Sequence, residues 1–271
     1  MAITTQDGVL AGARPPIHFT KQTTPTLVAG RPTSLYYLGG NPGAGSANTG
    51  LTGANYSSSS AVPAGMLYHQ DPGSGNSYLN RFEGVSSGQP GVLLLLDRLW
   101  DCEPTIDTTS AITITQPTLP ARDANGATSG QGVALAIEVV AATSSTAAVV
   151  SISYTNSAGT SGRTGAFIDL PTAATNAIGN WYRISLQAGD LGVQSVQSVT
   201  FSTDWTSGTI ALVAYRFLAA LELPGTGIPN AIDYLTGGFP QLYNGTCPFL
   251  VFVPSTTTAT LIGGEYVESQ G

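Results

Sequence analysis

Charged residues are scarce in this sequence. Asp, Glu, Lys and Arg make up 9% of its 271 residues, and Lys21 is the only lysine, whereas about a quarter of an ordinary globular domain is charged. A charged surface keeps a protein soluble and monomeric, and the core of a protein–protein contact is depleted of charge. The scarcity therefore predicts that much of the surface lies against other protein, and it disfavours a freely diffusing enzyme.

Basic clusters and long apolar runs are also lacking. The net charge is −7, and the nine basic residues are scattered from Arg14 to Arg216, which disfavours nucleic acid and anionic membranes as partners. The longest apolar run ends at Asp97 and is too short to span a membrane. The N-terminus lacks the basic start and apolar core of a secretory signal. We therefore expect synthesis in a cytoplasm.

Residues that carry chemistry are few. Cys102 and Cys247 lie far apart, and a cytoplasmic origin favours free buried thiols over the alternative of one disulfide. Neither cysteine has metal-ligand spacing, and His18 and His69 lie far from both, so no metal or cofactor is predicted. Each histidine is expected to be solvated or to lie in a contact. No nucleophile elbow, zinc-protease or phosphate-loop motif is present, so no catalytic residues are predicted.

The densest polar cluster is DRLWDCE at 97–103. One interpretation is a paired-carboxylate site, for example a glycan hydrolase using Asp97 and Asp101. A weaker one is a calcium site that adds Glu103. The favoured interpretation is a strand end at which Arg98 pairs with a nearby carboxylate and Trp100 covers the core.

Residues 1–91 differ in composition from the rest. Gly, Pro, Ser and Asn crowd 31–91, a composition typical of flexible segments, but short apolar clusters interrupt it. We predict an extended N-terminal arm that attaches at these clusters, against another chain or against the sandwich at a subunit boundary. The predicted assembly contacts are Leu35, Tyr36, Tyr37, Leu38, Met66, Leu67 and Tyr68.

From residue 92 the pattern indicates strands. Apolar or alternating runs occur at 92–99, 111–115, 133–140, 148–154, 181–186, 196–202 and 208–218, with turn signals between them. This spacing predicts a mainly antiparallel β-sandwich over 92–222. A C-terminal β-rich extension over 223–271 is expected to contain a short helix near 229–236 and strands at 248–254 and 259–267.

Aromatic residues offer an alternative of another class. Trp181 and Tyr182 fall in one predicted strand and must point to opposite faces. Trp205 falls in a turn, where an exposed ring would suit a sugar or a partner chain equally well. A glycan-binding β-sandwich module would need such a ring in a groove, although core packing is the commoner fate of tryptophan.

Several turn and strand-edge motifs together carry a resemblance. They are DRLW at 97–100, LPARD at 119–123, SYTNSAGTSGR at 153–163, LQAGD at 186–190, WTSG at 205–208, AYR at 214–216, LPG at 223–225 and PFLVFVPS at 248–255. The sequence from about 96 to 271 resembles a family of structural proteins of tailed-bacteriophage particles. The resemblance implies a virion protein and supplies no catalytic residues.

The favoured functional hypothesis is a capsid decoration or cement protein that bridges neighbouring shell subunits. A tail, baseplate or head–tail connector protein is the alternative within the same class. The expected partners are the major capsid protein or other virion proteins. A sandwich has open sheet edges, and this chain has too few charged residues to keep those edges from pairing with another chain. We therefore also expect a homo-oligomer. A trimer suits a three-fold position on an icosahedral shell.

Overall fold

The computed structural model describes residues 3–22, 27–58, 62–143, 150–167, 176–205 and 207–271. Strands hold 48% of the residues and helices 4%, and the antiparallel sheets form a sandwich-like arrangement. The predicted mainly β, sandwich-type fold class is therefore confirmed.

The elements follow one another along the chain as α1 (Gln6–Ala11), β1 (Ile17–Gln22), β2 (Thr33–Ser34), β3 (Gly40–Asn41), β4 (Ala54–Asn55), β5 (Ser77–Ser86), β6 (Gly91–Cys102), β7 (Ile112–Thr113), β8 (Val133–Ala141), β9 (Val150–Asn156), β10 (Arg163–Phe167), β11 (Trp181–Ser185), β12 (Val193–Phe201), β13 (Thr209–Leu223), β14 (Asn230–Asp233), α2 (Tyr234–Gly237), β15 (Gln241–Leu242), β16 (Pro248–Pro254) and β17 (Leu261–Gln270).

Two compact units are built from interleaved segments. Unit 1 comprises Met1–Gly45, Ser57–Asp97 and Phe217–Gly271, and unit 2 comprises Ser46–Tyr56 and Arg98–Arg216. This division differs from the predicted borders at 91/92 and 222/223. The chain passes from one unit to the other within the long strands β6 and β13. Because each of these strands is continuous across the border, the composition does not change there and gives no signal of it.

Unit 1 contains a sheet of strand order β14-β5-β17-β1-β3, in which β15 also pairs with β5. Strand β17 pairs with β5 on one side and with β1 on the other. A second set of strands has the order β2-β16-β6. Strands from the predicted arm therefore supply β1, β2, β3 and β5 of this unit instead of forming a separate extension.

Unit 2 has the strand order β13-β8-β11-β10-β9-β12-β7, with every pairing antiparallel. Strand β9 alternates buried and half-buried residues, as a strand with one face in a core does. One hydrophobic cluster extends from Leu99 to Ala214 and includes Trp100, Tyr154 and Trp205. The predicted strand 148–154 begins outside the described residues, and its remainder lies within β9.

The C-terminal helix is shorter and later than predicted. Residues 230–233 form β14, which pairs with β5, and α2 covers only Tyr234–Gly237. Asp233 is its N-cap: its carboxylate accepts a hydrogen bond from Thr236 N at 2.9 Å, and the Thr236 hydroxyl bonds back to the cap. Pro229 and Asn230 therefore do not start the helix. Among the described residues, no helix is long and apolar enough to cross a membrane.

Candidate assembly surface

Six of the seven predicted contact residues are buried within unit 1: Leu35, Tyr36, Tyr37, Leu38, Met66 and Leu67. Backbone hydrogen bonds fix both clusters, since Leu35 N donates to Leu250 O at 2.9 Å and Leu67 N donates to Pro248 O at 2.7 Å. The ring of Tyr36 packs against those of Tyr37 and Phe249, with centroids 4.9 and 6.3 Å apart. Tyr68 alone among the seven is exposed, with 45% of its surface accessible.

The ring of Tyr36 explains why glycines cluster in this region. A Cβ on Gly45 would lie 2.2 Å from the ring, and one on Gly65 would lie 2.6 Å from it. Gly65 also has a φ of +83°, a conformation that favours glycine. These glycines allow close packing around a buried aromatic side chain, so a composition typical of flexible linkers here serves an ordered core.

A cavity of about 440 Å³ lies beside Tyr68. Its lining consists of Arg14, Pro15, Pro16, Ile17, Tyr68, Gln70 and Glu268. Arg14 Nη1 donates to Gln70 Oε1 at 2.7 Å in a solvent-exposed hydrogen bond. The Glu268 side chain is only 2% exposed, so the cavity combines an exposed aromatic wall with a buried carboxylate.

His69 connects this carboxylate to a second one. Its Nδ1 lies 2.7 Å from Glu268 Oε1, and its Nε2 lies 3.4 Å from Asp71 Oδ1. Asp71 also accepts a hydrogen bond from Gly245 N at 2.6 Å. His69 is thus a buried structural residue and not a solvated one, whereas the side chain of His18 is 70% exposed beside Glu265.

Many of the few charged side chains are buried, so the surface carries less charge than the composition alone indicates. Buried charged residues in the described chain are Lys21, Asp97, Arg98, Asp101, Arg122, Asp123, Glu138, Arg216 and Glu268. Exposed ones are Asp7, Arg81, Asp107, Arg183, Asp204 and Glu222. Charged side chains are rarely buried unless paired, so most of these groups serve internal contacts.

The predicted polar cluster at 97–103 is part of such an internal network. Arg98 binds the Asp101 carboxylate through Nε and Nη2 and reaches Glu138 Oε2 through Nη1 at 2.7 Å. Asp101 also accepts hydrogen bonds from the Tyr56 hydroxyl at 3.0 Å and from Asn48 Nδ2 at 2.7 Å. The favoured interpretation of this cluster is confirmed, because Arg98 pairs with a nearby carboxylate and Trp100 lies in the core.

The other two carboxylates of the cluster have separate environments. Asp97 Oδ1 accepts a hydrogen bond from Cys247 N at 2.9 Å. Burial raises the pKa of Glu103, and the negative charge of Asp101 raises it further. No group of three or more His, Cys, Asp or Glu side chains in the described ranges is placed to hold a metal ion.

The candidate glycan platform does not form at Trp205. This side chain is only 1% exposed and packs against Phe201 with ring centroids 5.8 Å apart. Trp181 and Tyr182 are buried as well. The structure therefore places all three in the core and presents none of their rings to a sugar. Cys102 and Cys247 are both free and buried, as predicted.

Comparisons with known proteins do not assign this chain to a family. No protein-family model matches the chain, and no curated protein matches it. Among solved structures, VP2 of infectious bursal disease virus in a subviral particle is similar at 8% identity and a TM-score of 0.21, over 100% of this chain and 83% of that one. The T13 particle of the same virus is similar at 10% identity and a TM-score of 0.18, over 99% and 80%. These similarities are weak.

Proposed function

We propose that this protein is a structural component of a virus particle, and specifically a decoration or cement protein on the shell of a tailed phage. It would bridge neighbouring shell subunits and act without catalysis. The observation that carries the proposal is the distribution of charge, because only six charged residues in the described ranges are fully exposed, whereas nine are buried and nine are half-buried. A surface of this kind matches the charge-depleted core of a protein–protein contact.

Exposed apolar side chains support the same proposal. They are Leu10, Val62, Tyr68, Leu191, Phe217, Ile228, Leu235 and Leu261. Burial of apolar surface is worth about 25 cal/mol per Å², so covering several of them in a shell adds several kcal/mol per copy before ordering costs. Repeated over many copies, this stabilisation would help the shell resist internal pressure.

The experiment is quantification of this protein in purified particles by mass spectrometry, with the major shell protein as the internal standard. We expect a fixed ratio of this protein to the major shell protein. Particles that lack this protein should burst at a lower temperature than complete particles. A few copies per particle would favour the connector or baseplate alternative, and absence from particles would reject the proposal.

The proposal includes self-association, with a trimer at three-fold positions. Light scattering on the purified protein measures this directly. A trimeric mass is expected, whereas a stable monomer at high concentration would show that the charge-poor surface meets only other virion proteins.

A further inference from the structure

We infer that the cavity beside Tyr68 is a socket for a basic side chain, arginine or lysine, of a different virion protein. The inference rests on the proposed function and names the contact through which it would operate. Tyr68 is the one exposed residue among the seven predicted contact residues, and the other six are buried in the isolated chain.

The cavity has one buried carboxylate in its lining. Glu268 lines it with a nearly inaccessible carboxylate, and a second carboxylate, Asp71, lies on the far side of the His69 ring. Burial raises the pKa of Tyr266, and the charge of Glu268 raises it further. A buried carboxylate gains stability from each hydrogen bond and positive charge beside it, and an incoming cation would add a full charge to the contact that Glu268 makes with His69.

The cavity walls suit the rest of a basic side chain. Lys and Arg place their aliphatic stems along apolar surface while the charged head finds a polar partner, and Pro15, Pro16 and Ile17 provide such a surface. The exposed ring of Tyr68 can meet a guanidinium group face on. The volume of about 440 Å³ falls within the usual range of ligand pockets.

Arg14 is the one positive side chain among the lining residues. Its Nη1 donates to Gln70 Oε1, and its backbone N–H donates to the carbonyl oxygen of residue 268 at 2.8 Å. The Glu268 carboxylate itself is bound by His69. As a like charge it opposes an incoming cation, so its removal should tighten binding.

The chain itself is a poor source of the cation. Its only lysine is buried, and Arg81 and Arg183 are its only exposed basic residues within the described ranges. Arg81 is already bound to Glu265 in the same sheet. With a net charge of −7, the protein is complementary to a more basic partner, so we assign the socket to a foreign virion protein and not to a second copy.

The test titrates the full-length protein with the peptide acetyl-Gly-Arg-Gly-amide and follows binding by NMR. The matched control replaces arginine with citrulline, which has nearly the same shape and no charge. The arginine peptide should bind about tenfold more tightly, and this preference should weaken with added salt. Equal binding of the two peptides would overturn the inference.

Three variants locate the contact. Glu268→Gln should abolish the preference for arginine, Tyr68→Ala should weaken arginine binding about threefold, and Arg14→Gln should tighten it. Phe217→Ala, which removes another exposed aromatic ring that does not line the cavity, should leave the binding of both peptides unchanged. Because Glu268→Gln also removes a partner of His69, Tyr68→Ala and the peptide pair keep the test decisive if that variant fails to fold.

Incorporation into particles separates this inference from the proposed function. If Tyr68→Ala and Glu268→Gln enter particles normally and the peptides bind equally, the socket is wrong and the particle role stands. If arginine selectivity is found but the protein is absent from particles, the proposed function and the assignment of the partner to the virion fail, while the socket for a basic side chain remains. Loss of self-association in Glu268→Gln would overturn the assignment to a foreign partner.

Discussion

The two units handle buried charge in different ways. In unit 2, Arg98 is enclosed by Asp101 and Glu138, so one buried cation is paired directly with two carboxylates. In unit 1, Lys21 donates to the carbonyl oxygens of Leu38 and Gly43, at 3.0 and 3.2 Å, and Glu268 lies 2.7 Å from His69 Nδ1 and faces a cavity. Unit 2 therefore contains a closed network of direct ion pairs, whereas these two charged groups of unit 1 are bound by carbonyl oxygens and by an imidazole.

The difference indicates that the buried charges of the two units serve different purposes. A closed network contributes to a single well-defined core, while a charged site that opens into a cavity can gain stability from a partner that binds it. The chain also provides separate reporters for the two units. All three tryptophans belong to unit 2, and the only lysine belongs to unit 1.

The largest expected effect comes from breaking the closed network. Arg98→Met leaves Asp101 and Glu138 buried without their cation and should lower the free energy of unfolding of unit 2 by about 3–5 kcal/mol. Tryptophan fluorescence during urea unfolding measures this loss. Arg183→Met, at an exposed arginine of the same unit, is the control and should change the value by less than about 0.5 kcal/mol. Equal effects of the two substitutions would contradict a closed network.

Replacing the whole network sharpens the comparison. The triple variant Arg98→Met, Asp101→Leu and Glu138→Leu removes the charges together and should recover most of the stability that Arg98→Met loses, because no unpaired charge remains. If the triple variant is less stable than Arg98→Met, the network contributes more than mutual neutralisation.

In unit 1 the next largest effect is expected at the aromatic ring enclosed by glycines. Tyr36→Ala should cost about 3–5 kcal/mol through the cavity that it leaves. The dependence of Lys21 labelling on urea concentration, measured with an amine-reactive reagent and mass spectrometry, reports unfolding of this unit. Tyr68→Ala should leave the midpoint nearly unchanged, because that ring is exposed. A similar shift in both variants would show that exposure does not separate structural from contact residues here.

Acid should weaken unit 2 through two loops. Arg163 above all, helped by Tyr154 and Asn156, lowers the pKa of Asp190 to about 2. Burial acts to raise the pKa of Asp123, but hydrogen bonds from Ser129 and backbone N–H groups outweigh it and lower the pKa. Both carboxylates therefore stabilise the folded state above their unfolded value of about 4, and this contribution is lost as pH falls toward 2.

Tryptophan fluorescence as a function of pH measures this acid transition. Asp190→Asn should flatten the pH dependence between 4 and 2, and Asp204→Asn, at an exposed carboxylate of the same unit, should not. An unchanged pH profile in Asp190→Asn would contradict the assignment.

The smallest expected effect is the pH response of Lys21. Burial lowers the pKa of Lys21 from 10.5 to about 8. Between these values the unfolded chain binds the proton that the folded chain has released, so this residue makes stability rise with pH over that window. Calorimetry of wild type and Lys21→Met isolates the effect, and the difference, wild type minus variant, should increase from pH 8 to 10. A constant difference would show that the folded lysine keeps its ordinary pKa.

Local pattern predicts much of the fold. Strand β16 coincides with the predicted run 248–254, and β8 differs from its prediction by one residue, because both are continuous apolar runs bounded by turns. Strand β5 was not predicted. Its sequence SYLNRFEGVS places buried Asn80 and Ser86 among its apolar residues, so alternation is lost although the strand is well paired.

The candidate site was only partly predictable. Tyr68 was identified as a contact residue because it is aromatic within a Gly- and Pro-rich segment. Glu268 was not, since it is separated from His69 by 199 positions and no local motif connects them. Sequence spacing carries no signal for such a pair, because β17 brings the carboxylate to the histidine through long-range strand pairing.

The sparse exposed charges have a kinetic consequence. Six exposed and nine half-buried charged residues in the described ranges share a surface of 10463 Å², so neighbouring charges are separated on average by more than the Debye length of about 10 Å at 0.1 M salt. At that salt concentration individual surface charges are therefore largely screened from one another, and the field that a large partner meets at low salt is that of the net charge of −7. Docking to a basic partner should accordingly be faster in dilute buffer than in brine, where diffusion and orientation set the rate.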